Sequence, residues 1–285
     1  MKYVVVVANP IKDEGLNLTK RIINKLWSLG IVVFFDEKTA NLSEFGAVQY
    51  SKIPSEADLI IVVGGDGSVI DASYYAIDLD VPLLGVNLGK VGYLATLEPD
   101  NIDLLDKIVS GEYIVNNRML LSVELHKSEN DVLKSERLAV NDVIIGHANH
   151  LGISEFKIEN AGGDQVKYRA DGVVLSTPAG STAYSLSAGG PVISHTLDSI
   201  TVTPVCPHSF FNRAIVYGPE ERIKITNIGE SEMKISIDGR FFADMKAGDS
   251  CIINKSNKRI KMMAFGGGNL FSTLSRKIKH LDDTV

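Results

Sequence analysis

Cysteine is scarce. The 285-residue chain has two, Cys206 and Cys251, far apart and without the short spacings of metal ligands. That argues against a disulfide scaffold and favours reduced thiols in a cytosolic protein. Long hydrophobic runs are missing as well. No stretch approaches the roughly 20 apolar residues that span a bilayer. The opening MKYVVVVANP is a very short apolar run ended by Asn9-Pro10, which reads as a buried strand rather than a signal peptide. Positive charge is in deficit: 29 Lys and Arg against 35 Asp and Glu give a net charge of −6. That is the wrong balance for a general nucleic-acid binder, which must neutralise phosphates. A small phosphorylated ligand stays within reach, because a few backbone amides and one or two cations can hold it. The chain also lacks a G-x-x-x-x-G-K-[ST] loop, low-complexity tracts and convincing repeats. The expectation is a cytoplasmic protein with no membrane or nucleic-acid partner.

What is present is a chain of two characters. At 45% hydrophobic it can offset its ordering entropy, and its length suits two domains of roughly 100–200 residues. Before about residue 115, apolar runs at Tyr3–Val7, Ile31–Phe35, Leu59–Val63 and Pro82–Val86 alternate with helical patterns. The helices are expected over Leu18–Leu29, from the Gly64–Ser68 segment to about Ile77, and over Ile102–Val109. That alternation predicts a parallel sheet with helices on both faces, and a ligand at the carboxyl ends of the strands. After residue 115, strand-like segments dominate: Leu120–His126, Ala139–Ile145, Gly172–Ser176, Ile200–Val205, Arg222–Thr226, Met233–Ile237, Ser250–Ile253 and Arg259–Ala264. Turns at Asn227–Gly229, Asp238-Gly239 and Gly248-Asp249 separate several of them. A helix is expected near Ser181 and another over Leu270–His280, after Gly266-Gly267-Gly268.

Three constellations carry chemistry. In Gly64-Gly65-Asp66-Gly67-Ser68 a strand runs into glycines and then a helix. Glycine lets a backbone approach a phosphate closely, and successive amides at a helix N-terminus make an anion site. A carboxylate among such amides is electrostatically odd unless Asp66 accepts a proton, holds Mg²⁺ or merely caps the helix. Ile70 stands where a dinucleotide G-x-G-x-x-G would need its third glycine. The second constellation is Ser176-Thr-Pro-Ala-Gly-Ser-Thr-Ala-Tyr-Ser-Leu-Ser-Ala-Gly-Gly190. Gly180 makes a bend, Ser181 or Thr182 caps a short helix, small residues leave room for a flat base, and Tyr184 offers a ring for stacking. The third is Asn141-Asp142, an amide and a carboxylate in an otherwise apolar strand, suited to a ribose diol or equally to a strand-end turn.

Together these segments resemble the NAD kinase family over nearly the whole chain. The resemblance rests on Asn9-Pro10, Gly64-Gly65-Asp66-Gly67, Gly85-Val-Asn-Leu-Gly89 with Gly92-Tyr-Leu-Ala95, Asn141-Asp142, Arg169-Ala-Asp-Gly172, Thr177–Tyr184 and Asp238-Gly239, in the family's order. Gly-Gly-Asp-Gly alone is shared with lipid kinases and phosphofructokinases; the Thr177–Tyr184 motif downstream is the specific part. The resemblance implies phosphorylation of the adenosine ribose 2′-hydroxyl of NAD to NADP, with ATP, another nucleoside triphosphate or polyphosphate as donor and a divalent cation, Mg²⁺, as cofactor. It implies Asp66 as proton acceptor, with Gly64, Gly65, Gly67 and Ser68 at the donor phosphates. Gly67, Asn141, Asp142, Thr182, Ala183, Tyr184 and Ser187 would contact NAD. Arg169 and Asp171 would approach the site from a neighbouring subunit, in a homodimer or homotetramer.

The implied fold is an α/β, Rossmann-like N-terminal domain over residues 1–115 and a β-rich, sandwich-like, NAD-binding domain over 116–265. A C-terminal helix within 266–285 would pack back on the first domain. Two departures stand out. The family's usual Asn-Glu pair is Asn141-Asp142 here, one methylene shorter. Many members also carry a basic residue where Asp71 stands, so charge on the donor phosphates must be met by the metal or elsewhere. Two other classes remain as alternatives: a lipid or sugar kinase using the same loop, and a non-catalytic dinucleotide sensor.

Overall fold

Two units emerge, Met1–Asn117 with Ile260–Val285, and Arg118–Arg259. The computed structural model describes residues 1–36, 48–50, 53–88, 92–128, 132–147, 152–209, 211–266 and 275.

The first unit is built on a parallel sheet. Its elements are β1 (Tyr3–Ala8), α1 (Asn17–Ser28), β2 (Val32–Asp36), β3 (Val48–Tyr50), β4 (Leu59–Gly64), α2 (Asp66–Leu79), β5 (Leu83–Asn87), β6 (Ala95–Leu97) and α3 (Asp106–Ser110). Strands β1, β4 and β5 are apolar on both faces, as a buried parallel strand requires. The order is β3-β2-β1-β4-β5, all parallel, with β6 beside β5. One face, including Val4, Val6, Leu59, Ile61 and Leu84, packs with Leu18, Ile22 and Leu26 of α1 and with Ile102 and Leu105. On α2, Val69 lies against Gly85, where a Cβ would come within 3.0 Å of it.

Helix ends follow local rules. Gly30 (φ 75°) closes α1, with its N–H donating to Trp27 and that of Ile31 to Leu26. Asp80 takes the left-handed position after α2 (φ 55°), a place an Asp tolerates better than most residues. The expected helix at Ile102–Val109 is a 3-10 segment, Pro99–Leu105, running into the short α3.

The second unit is a sandwich of antiparallel strands. Its elements are β7 (Ile114–His126) from Arg118 on, β8 (Val132–Ala139), β9 (Asp142–His147), β10 (Ser154–Glu159), β11 (Gln165–Ala170), β12 (Gly172–Ser176), α4 (Tyr184–Ser187), β13 (Ile200–Val205), β14 (Ile215–Tyr217), β15 (Ile223–Asn227), β16 (Met233–Ile237), β17 (Arg240–Met245) and β18 (Ser250–Ala264) as far as Arg259. One sheet contains β8-β7-β18-β15-β10-β11; the other runs β14-β13-β12-β9-β16-β17. Inward residues of both, such as Leu121, Phe156, Ile225 and Cys251 from one and Val143, Leu175, Val202 and Ile235 from the other, share one core.

Two strand readings need correction. Ala139–Ile145 is not one strand: β8 ends at Ala139, the chain bends at Val140-Asn141, and β9 begins in the other sheet. Conversely, Ser250–Ile253 and Arg259–Ala264 belong to the single strand β18. The expected helix at Leu270–His280, Gly267 and Gly268, and Gly89 lie outside the described residues, apart from Ser275, which is helical.

Candidate functional site

In the first unit, β1 pairs with β2 on one side and β4 on the other, so the order reverses between β1 and β4. Open α/β sheets take ligands in the crevice at such a switch. Asn9, just past β1, donates its N–H to Val63 and its side-chain amide to Ser68 Oγ (3.3 Å). Its own side-chain oxygen receives the N–H groups of Ile11 and Lys12. At Gly64 a Cβ would stand 2.6 Å from Ser68 Oγ, so the glycine permits the tight step from strand to helix.

Gly65 is the residue before α2, and no side chain caps that helix. The first N–H groups of α2, which like those of any helix start have no intrahelical acceptor, thus receive no side-chain cap either. Gly67 is exposed, with nothing within 4 Å of the place its Cβ would occupy. Asp66 does not cap α2. Its carboxylate turns to the segment before β6 and receives the N–H groups of Tyr93 (2.9 Å), Leu94 (3.0 Å) and Ala95 (3.3 Å). Gly92 is needed there, because a Cβ would overlap Asp66 Oδ1. Ionised, a carboxylate offers about four lone-pair positions, so three bonds leave room for one more donor.

In the second unit a different aspartate organises the backbone. Asp238 (φ 50°) and Gly239 (φ 77°) form the turn joining β16 to β17, both with the positive φ of a type I′ hairpin. The Asp238 carboxylate receives the N–H groups of Val140 (2.8 Å), Asn141 (2.8 Å) and Asp142 (3.1 Å). Thr177 holds the same bend from the other side: its hydroxyl donates to the Val140 carbonyl and its N–H to that of Asn141. Gly180, whose N–H donates to Thr177 Oγ1, lies so close that a Cβ would overlap the Asn141 carbonyl.

This bend fixes Asn141 and Asp142. The side-chain oxygen of Asn141 is buried without a hydrogen-bond partner. Asp142 is 4% exposed, and burial pushes its carboxyl up to about 7, helped by the Asp238 carboxylate and opposed by the N–H of Tyr184. That N–H ties Asp142 to the start of α4. Neither Ser181 nor Thr182 caps a helix; their hydroxyls donate back to Pro178 and Ala179. Thr182 and Ala183 are partly exposed, Tyr184 is 44% exposed, and Ser187 is exposed one turn on.

Arg169 and Asp171 sit apart from this cluster. Arg169, on the edge strand β11, pairs with Glu155 of β10 (3.0 Å). Asp171 follows it, exposed, with its carboxylate beside the Cys206 thiol. Among the described residues, neither hydrogen-bonds Asn141, Asp142 or Thr182–Tyr184.

Two family models match this chain: the ATP-NAD kinase N-terminal domain over residues 4–113 and the ATP-NAD kinase C-terminal domain over 140–265. The chain belongs to the NAD kinase family. The NAD kinase of Lachnoclostridium phytofermentans is 33% identical over 287 residues, covering 97% of this chain and 99% of that protein. That of Nitrosomonas europaea is 35% identical over 238 residues, 82% of this chain and 80% of the other. In fold, the chain is similar to yeast NADH kinase solved with NADH (TM-score 0.85, 23% identity, 98% and 88% of the two chains). It is also similar to an NAD kinase from Archaeoglobus fulgidus solved with ATP (TM-score 0.70, 24% identity, 96% and 99%).

A NAD kinase needs a divalent cation, and the residues bear on how it is held. Among the described residues no three His, Cys, Asp or Glu side chains cluster as a metal cage. A hard divalent cation can be held largely by substrate phosphates and water with one or two carboxylates, which needs no such cage. Several residues behind the candidate site escaped sequence reasoning in this role. Asp238 and Gly92 were visible as motif members, but a turn Asp and a loop Gly carry no sign of which backbone they touch.

Proposed function

We propose that this protein phosphorylates the adenosine ribose 2′-hydroxyl of NAD, giving NADP, with ATP, another nucleoside triphosphate or polyphosphate as donor and Mg²⁺ entering with it. The observation that carries the reading is Asp66: a carboxylate fixed by three amides on the first turn of a helix whose own leading N–H groups are open. Those amides and the exposed Gly67 hold the donor phosphates. Phosphoryl transfer has a loose transition state, so positioning and charge neutralisation are most of the catalytic task. The 2′-hydroxyl donates to the remaining lone pair of Asp66 at roughly 2.6–3.2 Å. As the oxygen bonds to phosphorus, the bond to the leaving phosphate breaks and the proton passes to the carboxylate. The metal supplies charge neutralisation on the phosphate oxygens.

In this reading residues 1–115 carry the donor loop and 116–265 the NAD contacts. Asn141 brings an unsatisfied acceptor, Asp142 a carboxylate for a ribose diol, and Thr182–Tyr184 with Ser187 an open edge for adenine. Arg169 and Asp171, exposed in the single chain, complete a neighbour's site in a homodimer or homotetramer. A cytoplasmic setting accords with two unpaired cysteines.

The test is to incubate the protein with NAD, ATP and Mg²⁺ and measure NADP with an NADP-specific dehydrogenase. NADP forming one for one with ADP is expected. ATP turnover on a diacylglycerol or a sugar but not on NAD would move the protein to the lipid and sugar kinases. NAD binding without turnover would make it a sensor.

A further inference from the structure

Asp71 leaves the donor loop without the basic residue that the family resemblance leads one to expect. Another element supplies one. Lys12 follows β1 in the loop at the switch point of the sheet, and its ammonium lies 2.8 Å from the place a Cβ on Gly65 would occupy. Gly65 has φ −98° and ψ −176°, extended backbone that any residue adopts. Its lack of a side chain is therefore not a conformational requirement. What occupies the space is the ammonium.

The loop that carries Lys12 is held at both ends. Asn9 receives the N–H of Lys12 on its side-chain oxygen and on its carbonyl, and its amide reaches Ser68 beyond the glycines. Asp13, 4% exposed, receives the N–H groups of Leu18 (3.0 Å) and Thr19 (2.8 Å) at the start of α1. Backbone position is thus fixed on either side of Lys12, while its side chain stays exposed. The ammonium forms no ion pair among the described residues. The carboxylate of Asp66, the residue after Gly65, is turned to Tyr93, Leu94 and Ala95. A cation without an ion-pair partner among the described residues thus stands beside Gly65, where α2 begins with no side-chain cap.

We propose that Lys12 is the donor-phosphate cation of this enzyme: its ammonium donates hydrogen bonds to the phosphate chain of the nucleoside triphosphate or polyphosphate at Gly65. This rests on the kinase reading above and adds a residue to it. During transfer the phosphorus–oxygen bond to the leaving phosphate breaks and the bond to the acceptor oxygen forms. Lys12 keeps its proton and offsets charge on the phosphate oxygens.

The experiment compares wild type, Lys12→Met and Lys12→Arg by steady-state kinetics with NAD, ATP and Mg²⁺, by thermal melting, and by calorimetric titration with inorganic tripolyphosphate. A hydrogen bond to a charged group supports a rise in the KM for ATP of about tenfold or more in Lys12→Met, with tripolyphosphate weakened similarly. The KM for NAD and the melting temperature should hold, and Lys12→Arg should keep most of the affinity. Should Lys12→Met fold poorly, Lys12→Gln takes its place. A KM for ATP and a tripolyphosphate affinity within about twofold of wild type would overturn the proposal. So would a KM for NAD that rises in step, which marks Lys12 as scaffolding. If wild type makes no NADP yet loses tripolyphosphate binding with Lys12, the kinase reading fails and this one stands.

Discussion

Each unit positions its candidate residues with one aspartate that receives three consecutive backbone N–H groups. Asp66 holds Tyr93–Ala95 and Asp238 holds Val140–Asp142. The bonding is alike and the surroundings are not. Around Asp66 the loop is open: α2 has no side-chain cap, and Gly67 faces empty space. Around Asp238 the backbone is clamped, with Thr177 on two carbonyls and Gly180 pressed on Asn141. Asp66 has a position left for a substrate hydroxyl; Asp238 serves as a brace. The same residue and the same three bonds give a candidate catalytic group in one place and a support in the other. What lies opposite the carboxylate decides.

The glycines give the sharpest break in that comparison. Gly180→Ala would drive a Cβ into the Asn141 carbonyl, a rigid backbone atom, so a loss of about 3 kcal/mol or more is expected. Chemical denaturation would show it. Gly67→Ala has free space and should leave stability level or raise it by about 0.5–1 kcal/mol, since alanine is the better helix former. Its cost should appear in the KM for ATP. Equal losses of stability at both positions would erase the distinction between open loop and clamped bend.

Asp142 tests the clamped side through pH. Its folded-state carboxyl titrates at about 7 against an ordinary 3.8, chiefly from burial. Between those values the unfolded chain has lost a proton that the folded protein keeps, so the contribution to stability falls as pH rises through about 7. Asp142→Asn should therefore be more stable than wild type at pH 8, on the order of 2–4 kcal/mol, and level with it below pH 4. Melting curves at the two pH values check this. A variant less stable at pH 8 would mean that the ionised carboxylate is well solvated or paired.

A small effect on substrate binding is expected at Tyr184. Truncation to Ala should remove stacking worth about 0.5–1.5 kcal/mol, a rise of roughly two- to tenfold in the KM for NAD with the fold intact. An unchanged KM would take the ring out of the site.

Local patterns and distant contacts leave unequal marks on the sequence. Strands β12, β13 and β16 match the expected bounds residue for residue, and β1 and β4 run one residue further, because their apolar patterns are local. The edge strands β3, β11, β14 and β17 were not legible: they are short or half-polar, and pairing with a neighbour defines them. The bend at Val140-Asn141 looked like continuous strand because what breaks it is Asp238, nearly a hundred residues on. In the same way the Gly-Gly-Asp-Gly loop was plain in the sequence, while the partners of Asp66 were not. Contacts 27 to 29 residues away leave no mark in local composition. Asp142 was legible as polar in an apolar strand; its burial, and so its raised pKa, came only with the β9–β12–β16 pairing.

The account turns on Asp66 as the group that takes the proton. The direct measurement is kcat for Asp66→Asn at saturating NAD and ATP. Asn presents one acceptor where the carboxylate presented two, so the Tyr93–Ala95 segment loosens and some loss of melting temperature is expected. The account predicts a fall in kcat of at least about 100-fold, the lower bound for losing a general base, in a variant still folded and still binding NAD. An Asn variant that keeps most of its kcat would contradict it and leave Asp66 as a second brace.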